Sequence, residues 1–178
     1  MLVLITGLPG SGKSTVAKIF KQKGFEIIEM GNIARAIAKK QKISVDEFSK
    51  IARRRYGKDF FAKKVVELIE KRKKRNKKKN FAISGLRNLE ELEEFRKLDK
   101  DAKLIAVTAP KELRMKRLLR RKRKTQKEIE ARDKKEIALG MLKLIKNADF
   151  VLANTSTKEE LKKSIEEILK ALRNEQTK

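Results

Sequence analysis

Short apolar runs alternate along the chain with longer segments in which apolar residues recur every three or four positions. Runs of this length are typical of buried strands, and apolar residues at every third or fourth position are typical of amphipathic helices. The predicted strands are residues 2–5, 25–30, 81–84, 104–107 and 149–153. Because strands that alternate with helices favour right-handed β-α-β crossovers, we predict an α/β fold: a five-stranded parallel sheet with helices on both faces.

Capping signals predict where several helices begin. A serine, threonine or asparagine stands three residues before a glutamate at Ser44, Asn88, Thr125 and Thr157. This spacing lets the polar side chain accept a hydrogen bond from the first turn of a helix. Asp59 is the predicted cap of a further helix. After Thr125 the apolar positions continue to Ile145, which predicts one helix before the last strand.

A glycine-rich motif lies between the first predicted strand and the first predicted helix. Residues 7–14, here called the glycine loop, match the phosphate-binding pattern G-x-x-x-x-G-K-S/T at every fixed position. Such a loop wraps a polyphosphate with backbone N–H groups, and side chains at its glycines would crowd the phosphates. We predict that Lys13 neutralises the β- and γ-phosphates and that the Ser14 hydroxyl binds Mg²⁺. The predicted nucleotide-binding residues here are Gly7, Gly10, Ser11, Gly12, Lys13, Ser14 and Thr15.

Composition excludes several kinds of chemistry. The 178 residues include no cysteine and no histidine, so disulfides, thiolate nucleophiles and imidazole bases are excluded. Any proton transfer would use a carboxylate, a lysine or water. No apolar run approaches the length of a membrane span and no signal peptide precedes the first strand, so we expect a cytoplasmic protein without a membrane partner. The length suits a single domain, 1–178.

The net charge of +25 is extreme and has two interpretations. One is a nucleic-acid partner, because clustered lysines and arginines bind phosphate backbones. The other is a composition rich in lysine and glutamate, of the kind found in heat-loving organisms. The basic run at 71–79 is explained most simply as a solvated helix end. RNA bound through the basic surface stays open as a partner.

Polar and charged residues follow the predicted strands. In a parallel sheet, ligands bind where the carboxyl ends of the strands meet, so these residues are expected to converge on one site. The segments at that edge are 7–14, 29–35, 84–87, 109–110 and Asn154.

With these residues placed, the chain resembles the P-loop nucleoside monophosphate kinase superfamily, which includes adenylate kinase. More closely, it resembles a group of archaeal dephospho-CoA-kinase-like nucleotide kinases, over nearly the whole chain. The resemblance implies a P-loop NTPase fold, ATP and Mg²⁺ as cofactors, and a nucleotide acceptor. It also implies a helical acceptor-binding arm at about 31–75 and a small arginine-rich lid at about 117–132.

The residues at the end of the second predicted strand can be aligned with related kinases in two ways, which imply different mechanisms. Residues 30–35 resemble the Thr-Gly-Asp-x-x-Arg motif of adenylate-kinase-like enzymes, which implies that Gly31, Asn32 and Arg35 bind the acceptor phosphate. Dephospho-CoA kinases have Asp-Ala-Asp-x-x-x-Arg here, and Glu29 then corresponds to the first aspartate. On that alignment Glu29 is the base for a hydroxyl acceptor, whereas a phosphate acceptor needs no strong base. Both alignments stay open.

The third strand ends in Ser84-Gly85-Leu86-Arg87, where related kinases have Asp-Gly-x-Arg. The resemblance implies that Arg87 binds the acceptor phosphate. Ser84 stands where the related kinases have this aspartate. In those kinases the aspartate helps to hold the hydration shell of Mg²⁺. A serine brings no charge to that position, which would weaken metal binding.

Arginines after the fourth strand resemble the lid of dephospho-CoA kinases. By this resemblance Arg117 and Arg121 close over ATP, and Arg132 stabilises the transferring phosphoryl group. Residues 148–154 resemble the strand-five signature beside the adenine, which implies that Asn154 contacts the nucleotide.

The resemblance implies an ATP- and Mg²⁺-dependent kinase that phosphorylates a nucleoside monophosphate or a related nucleotide. The first alternative is a dephospho-CoA kinase that phosphorylates a ribose hydroxyl with Glu29 as base. The second is an RNA-associated ATP-binding factor with weak ATPase activity, which the net charge and Ser84 suggest.

Overall fold

A computed structural model describes residues 1–76, 79–120 and 125–175 of the chain. Its strands are β1 (Leu2–Thr6), β2 (Glu26–Glu29), β3 (Phe81–Leu86), β4 (Lys103–Thr108) and β5 (Phe150–Ala153). They form one sheet in the order β2-β3-β1-β4-β5, and every pair of neighbours is parallel. The predicted five-stranded parallel sheet is confirmed.

The helices of the described residues connect these strands and cover both faces of the sheet. They are α1 (Lys13–Gln22), α2 (Met30–Lys40), α3 (Val45–Tyr56), α4 (Phe60–Arg75), α5 (Leu89–Leu98), α6 (Lys111–Leu119), α7 (Gln126–Ala138), α8 (Met141–Lys146) and α9 (Lys158–Glu175). Within this part of the chain no helix combines the length and the apolar character that crossing a membrane requires.

The core is divided into two apolar clusters by the central strand. Leu2 and Leu4 of β1 pack into a cluster with α2, α3, α4, α5 and α8. Val3 and Ile5 point to the other face and pack with α1 and α9. Because successive side chains of a strand alternate between faces, and both faces are covered here, β1 has to be apolar at each of these positions.

The four predicted caps of serine, threonine or asparagine are confirmed. In each case the side-chain oxygen accepts a hydrogen bond from the backbone N–H three residues later, at distances of 2.8 to 3.3 Å. Asp59 does stand directly before α4, but its side chain makes no capping hydrogen bond. It forms an ion pair with Lys63 instead, at 2.8 Å.

The prediction of one helix between Thr125 and the last strand is wrong. The chain forms two helices, α7 and α8, and Gly140 lies between them with φ of +106°. A left-handed residue cannot continue a right-handed helix, and glycine adopts this conformation without a steric penalty. The break turns the chain, so that α8 packs against α5 and β1 while α7 lies beside α6.

Candidate functional site

A cavity of about 290 Å³ opens at the carboxyl edge of the sheet. Its floor is the glycine loop, represented by Gly7, Gly10, Gly12, Lys13 and Ser14. One wall comes from the ends of β2 and β3 with the start of α2, and the other comes from α7. Of the segments that the sequence predicted to converge, 7–14, 29–35 and 84–87 meet around this cavity, whereas 109–110 and Asn154 do not line it.

The glycine loop leads directly into α1. Gly12 is the N-cap of this helix, with φ of +106°. The first N–H groups of a helix lack partners within the helix and can bind an anion, and Lys13 and Ser14, the first residues of α1, line the cavity. Lys13 Nζ donates to the Gly7 carbonyl at 2.5 Å and to the Leu8 carbonyl at 3.1 Å, which holds its ammonium group over the loop.

The Lys13 ammonium group lies in a site that lowers its pKa. Burial is the largest cause and brings the pKa of Lys13 from 10.5 to about 8. Glu136 opposes this change, while the guanidinium groups of Arg132, Arg87 and Arg114 add to it. A desolvated cation among other cations is the electrostatic environment that favours a polyanionic ligand.

Two buried side chains hold the glycine loop from behind. Arg114 of α6 donates to the Pro9 carbonyl at 2.9 Å and forms an ion pair with Asp133 of α7 at 2.7 Å. Asn154, which follows β5, donates from Nδ2 to the Ser11 carbonyl at 2.8 Å. These contacts join the loop to three separate elements, so its shape depends on the packing around it.

The wall formed by the ends of β2 and β3 and the start of α2 is here called the acceptor wall, after the role that the sequence analysis predicted for it. It contains Glu29, Gly31, Arg35, Ser84 and Arg87. Glu29 and Ser84 are neighbours in the register of β2 and β3, so the predicted base and the substituted serine stand side by side. Arg35 donates to Asn32 Oδ1, and Gly31 lies beneath its guanidinium group: a Cβ there would be 3.3 Å from Nη1. Asn32 thus orients Arg35.

Arg87 and Arg132 both lie near the carboxylate of Glu136, a residue that the sequence analysis did not identify. Glu136 Oε2 lies 3.0 Å from Arg87 Nε, and Glu136 Oε1 lies 3.8 Å from Arg132 Nε. Glu136 is nearly buried, with 7% of its side chain exposed. The available signal was its position four residues after Arg132, which places both side chains on one face of a helix.

A second unpredicted pair lies behind the acceptor wall. Glu91 is fully buried at the start of α5, accepts a hydrogen bond from the Arg87 backbone N–H at 2.7 Å, and pairs with Arg53 of α3 at 3.4 Å. Burial raises the pKa of Glu91 to about 7, against the opposing effect of Arg53. The Arg53 guanidinium also lies 5.0 Å from the ring centre of Phe61. The pair connects the helical segment between β2 and β3 to the residue that the sequence analysis placed on the acceptor phosphate.

Several predicted residues lie near the cavity without lining it in the described structure. Ser11 is a buried residue of the glycine loop, and Asn154 contacts the loop backbone. Arg117 donates to the Asn154 carbonyl at 3.0 Å, beside the end of β5. The others in this group are Thr15 and Asn32. Arg121 falls outside the described residues, so its predicted position in a lid is not described.

The basic run at 71–79 is partly paired. Arg72 and Lys79 both form ion pairs with Glu26 of β2, the latter at 2.5 Å. Residues 77–78 of this run, and 121–124 of the second basic cluster, lie outside the described part of the chain.

The donor set around the cavity suits Mg²⁺ held together with a ligand. Among the described residues no group of three or more acidic, cysteine or histidine side chains could hold a metal ion. Mg²⁺ is commonly bound through one or two protein oxygens together with substrate phosphates, so this set fits it. Ser14 lines the floor of the cavity, and Ser84 lines the wall at the ends of β2 and β3.

Known proteins resemble this chain in sequence and in fold. A family model described as an AAA domain matches residues 3–138. A UPF0200 protein of Sulfurisphaera tokodaii is 38% identical over 178 residues, covering 96% of this chain and 97% of that protein.

Two solved structures show the likeness in fold. TT1252 from Thermus thermophilus has a TM-score of 0.70 at 20% identity, with 97% of each chain covered. Dephospho-CoA kinase from Campylobacter jejuni has a TM-score of 0.55 at 20% identity, with 96% of each chain covered. The fold is thus the P-loop NTPase fold, with kinases among its structural neighbours. The match in sequence extends over almost the whole length of the archaeal relative, so the chain belongs to the UPF0200 family and contains an AAA domain.

Proposed function

We propose that the protein is an ATP- and Mg²⁺-dependent phosphotransferase that transfers the γ-phosphoryl group to a phosphate-bearing nucleotide, with a nucleoside monophosphate as the leading acceptor. One observation carries this proposal: Lys13 and Ser14 of the glycine loop share a single cavity with Arg35, Arg87 and Arg132. A nucleoside triphosphate on the loop and an anionic acceptor on the opposite wall would therefore meet within it.

The donor side follows from the glycine loop and α1. The N–H groups at the start of α1 and the Lys13 ammonium group bind the β- and γ-phosphates. Ser14 would hold Mg²⁺ through its hydroxyl, and Mg²⁺ held there would neutralise charge on the same phosphates. Arg114 and Asn154 keep the loop in position by their hydrogen bonds to its carbonyls.

The charges that line the cavity favour a phosphate-bearing acceptor. Four cationic side chains and two carboxylates of the described residues line it, namely Lys13, Arg35, Arg87, Arg132, Glu29 and Glu136. The guanidinium groups of Arg35 and Arg87 match the oxygens of a phosphate in two-point contacts. An oxygen of that phosphate attacks the γ-phosphorus, the bond to the β–γ bridging oxygen breaks, and ADP leaves with that oxygen. The attacking oxygen is already anionic, so no base is needed.

Glu29 supports a second candidate, a kinase for a hydroxyl acceptor such as the ribose of dephospho-CoA. The carboxylate lines the same cavity as Lys13, where it could take the proton of the attacking hydroxyl. The similar fold of the Campylobacter jejuni dephospho-CoA kinase adds to this candidate.

A phosphoryl-transfer screen tests both candidates. The protein is incubated with ATP and Mg²⁺, and AMP, CMP, UMP, GMP, their deoxy forms and dephospho-CoA are added one at a time. We expect ADP formation to depend on a monophosphate and to vanish in Lys13→Ala. Turnover with none of the acceptors, while ATP still binds, would contradict the proposal.

The Glu29→Gln variant separates the two acceptor classes. A phosphate acceptor predicts that turnover changes little, since no proton has to be removed. A hydroxyl acceptor predicts a loss of about 100-fold or more, the usual contribution of a general base. Glu70→Gln, an exposed carboxylate of α4, is the matched control and is expected to behave as the wild type.

A further inference from the structure

The carboxylate of Glu136 stands between two guanidinium groups that come from different parts of the fold. Arg87 follows β3, and Arg132 lies on α7 one turn before Glu136. The distances from the carboxylate are 3.0 Å to Arg87 Nε and 3.8 Å to Arg132 Nε. All three side chains line the cavity together with Lys13.

An electrostatic reason explains a carboxylate at this position. Two guanidinium groups and an ammonium group that share a small cavity repel one another, and a partly desolvated space weakens the screening of that repulsion. A nearly buried carboxylate would in turn be costly without cationic neighbours. Glu136 and the cations therefore stabilise one another when no anionic ligand is bound.

The Glu136 carboxylate lies close to the two guanidinium groups, but its hydrogen bonding with them is poor. Glu136 Oε2 is buried and makes no hydrogen bond, although it lies 3.0 Å from Arg87 Nε. The 3.8 Å separation from Arg132 is longer than a hydrogen bond. Arginine makes its strongest contacts as a two-point fork on carboxylate or phosphate, and neither guanidinium group does so here. A phosphate oxygen can offer each arginine a better contact than Glu136 offers.

We propose that Glu136 is an internal counter-anion for the phosphate-binding arginines, which keeps Arg87 and Arg132 in position until phosphoryl groups of the substrates displace its carboxylate. It is a positioning residue, because it acts through the two arginines. This inference rests on the proposed function, since it takes polyphosphate as the ligand of the cavity. It predicts a cost to nucleotide binding: each bound phosphate must first compete with the carboxylate.

Nucleotide affinity measures that competition without any turnover. The binding of ATP in the presence of Mg²⁺ is measured by titration calorimetry for the wild type, Glu136→Gln and Glu136→Asp. Removing the competing charge in Glu136→Gln is expected to tighten ATP binding by about tenfold. Aspartate keeps the charge but reaches less far toward both arginines, so Glu136→Asp is expected to fall between the wild type and Glu136→Gln.

The control and the kinetics separate this role from a structural one. Glu130→Gln removes the same charge from the same helix, outside the cavity, and is expected to bind ATP as the wild type does. With an acceptor identified by the screen, Glu136→Gln is expected to lower the KM for ATP without raising kcat. If Glu136 only stabilised the fold, its substitution would raise the KM for ATP and lower the melting temperature instead.

The outcomes distinguish the two proposals. The counter-anion proposal is overturned if neither Glu136 variant binds ATP more tightly than the wild type does. Glu136→Asp decides the matter if Glu136→Gln does not fold. Tighter ATP binding in the variants, with no phosphoryl transfer to any acceptor, supports the counter-anion and overturns only the proposed function. Absence of ATP binding in every protein overturns both.

Discussion

Arg114 and Asp133 form a buried ion pair, 2.7 Å long, directly behind the glycine loop. Only 7% of the Arg114 side chain and 12% of the Asp133 side chain are exposed. The same guanidinium group donates to the Pro9 carbonyl at 2.9 Å. One arginine therefore joins α6, α7 and the glycine loop, so the helix that presents Arg132 and Glu136 is connected to the phosphate-binding loop.

Breaking this pair is expected to destabilise the protein. Asp133→Asn leaves the buried Arg114 charge uncompensated, which costs about 3 kcal/mol of unfolding free energy. Chemical denaturation monitored by circular dichroism measures the change. Glu130→Gln, on the same helix but partly exposed, is expected to stay within about 0.5 kcal/mol of the wild type. A loss in Asp133→Asn no larger than that of the control would show that the pair contributes little.

Substitution of Gly12 is expected to abolish the ordered glycine loop. Gly12 has φ of +106°, and a Cβ there would lie 1.9 Å from Asn154 Nδ2. Alanine would thus displace Asn154 from its hydrogen bond to the Ser11 carbonyl and shift the loop. We expect Gly12→Ala to weaken ATP binding by about 100-fold or more, measured by titration calorimetry.

Gly24 provides the matched control for that substitution. It also has a positive φ, +88°, but a Cβ there would meet no atom within 4 Å. Gly24→Ala is therefore expected to cost about 1–2 kcal/mol of backbone strain and to leave ATP affinity unchanged. Equal loss of affinity in the two variants would mean that backbone strain, rather than contact with Asn154, explains the effect.

Arg35 is expected to act on the acceptor and not on ATP. Arg35→Gln removes one guanidinium group from the acceptor wall, so the KM for a monophosphate should rise by about tenfold or more while the KM for ATP changes little. Steady-state kinetics with each substrate varied in turn gives both values. Lys40→Gln, an exposed cation of the same helix, should change neither. A rise in the KM for ATP alone would show that Arg35 acts on ATP and not on the acceptor.

Glu91 is expected to give the fold a pH dependence. Its pKa is raised to about 7 in the folded protein, because the site is desolvated, from an ordinary value of 4.5 in the unfolded chain. Between these values the folded state holds a proton that the unfolded state has released, so stability falls as the pH rises. The wild type should therefore lose a few kcal/mol relative to Glu91→Gln between about pH 5 and about pH 8.

Glu90 offers a control one residue away. It is partly exposed, and its hydrogen bond with Lys58 lowers the pKa of its carboxyl group below 4.5. Its contribution to stability is complete above that value, so Glu90→Gln should show the same pH dependence as the wild type over this range. Denaturant titrations at the two ends of the range compare the three proteins. Parallel behaviour of Glu91→Gln and the wild type would contradict the assignment.

Much of the fold was predictable because its signals are local. The strand β1 is apolar at successive positions, and the glycine loop follows it directly. Caps such as Ser44 and Thr125 depend on residues three positions away, so a short stretch of sequence contains them. The break at Gly140 was missed because the apolar positions continue past it, and a helical pattern by itself does not show that a glycine within it adopts a left-handed conformation.

The candidate site was predicted only in part. Lys13, Ser14, Glu29, Arg35, Arg87 and Arg132 line one cavity, as expected of residues at the carboxyl ends of parallel strands and in a helix beyond them. Asn154 and Arg117 lie beside it and contact backbone carbonyls instead. Their positions depend on how β5 and α6 approach the glycine loop, and residue type does not reveal this.

By itself the sequence determined the alternation of strands and helices, the glycine loop and most helix starts, since neighbouring residues decide backbone conformation. Tertiary structure alone decided the partners of the buried charges. Arg114 meets Asp133 because α6 packs against α7, and Glu136 meets Arg87 because α7 and the end of β3 border the same cavity. A charged side chain does not encode its partner in its own sequence neighbourhood. Which cations surround a carboxylate, and so what it can do, follows from packing.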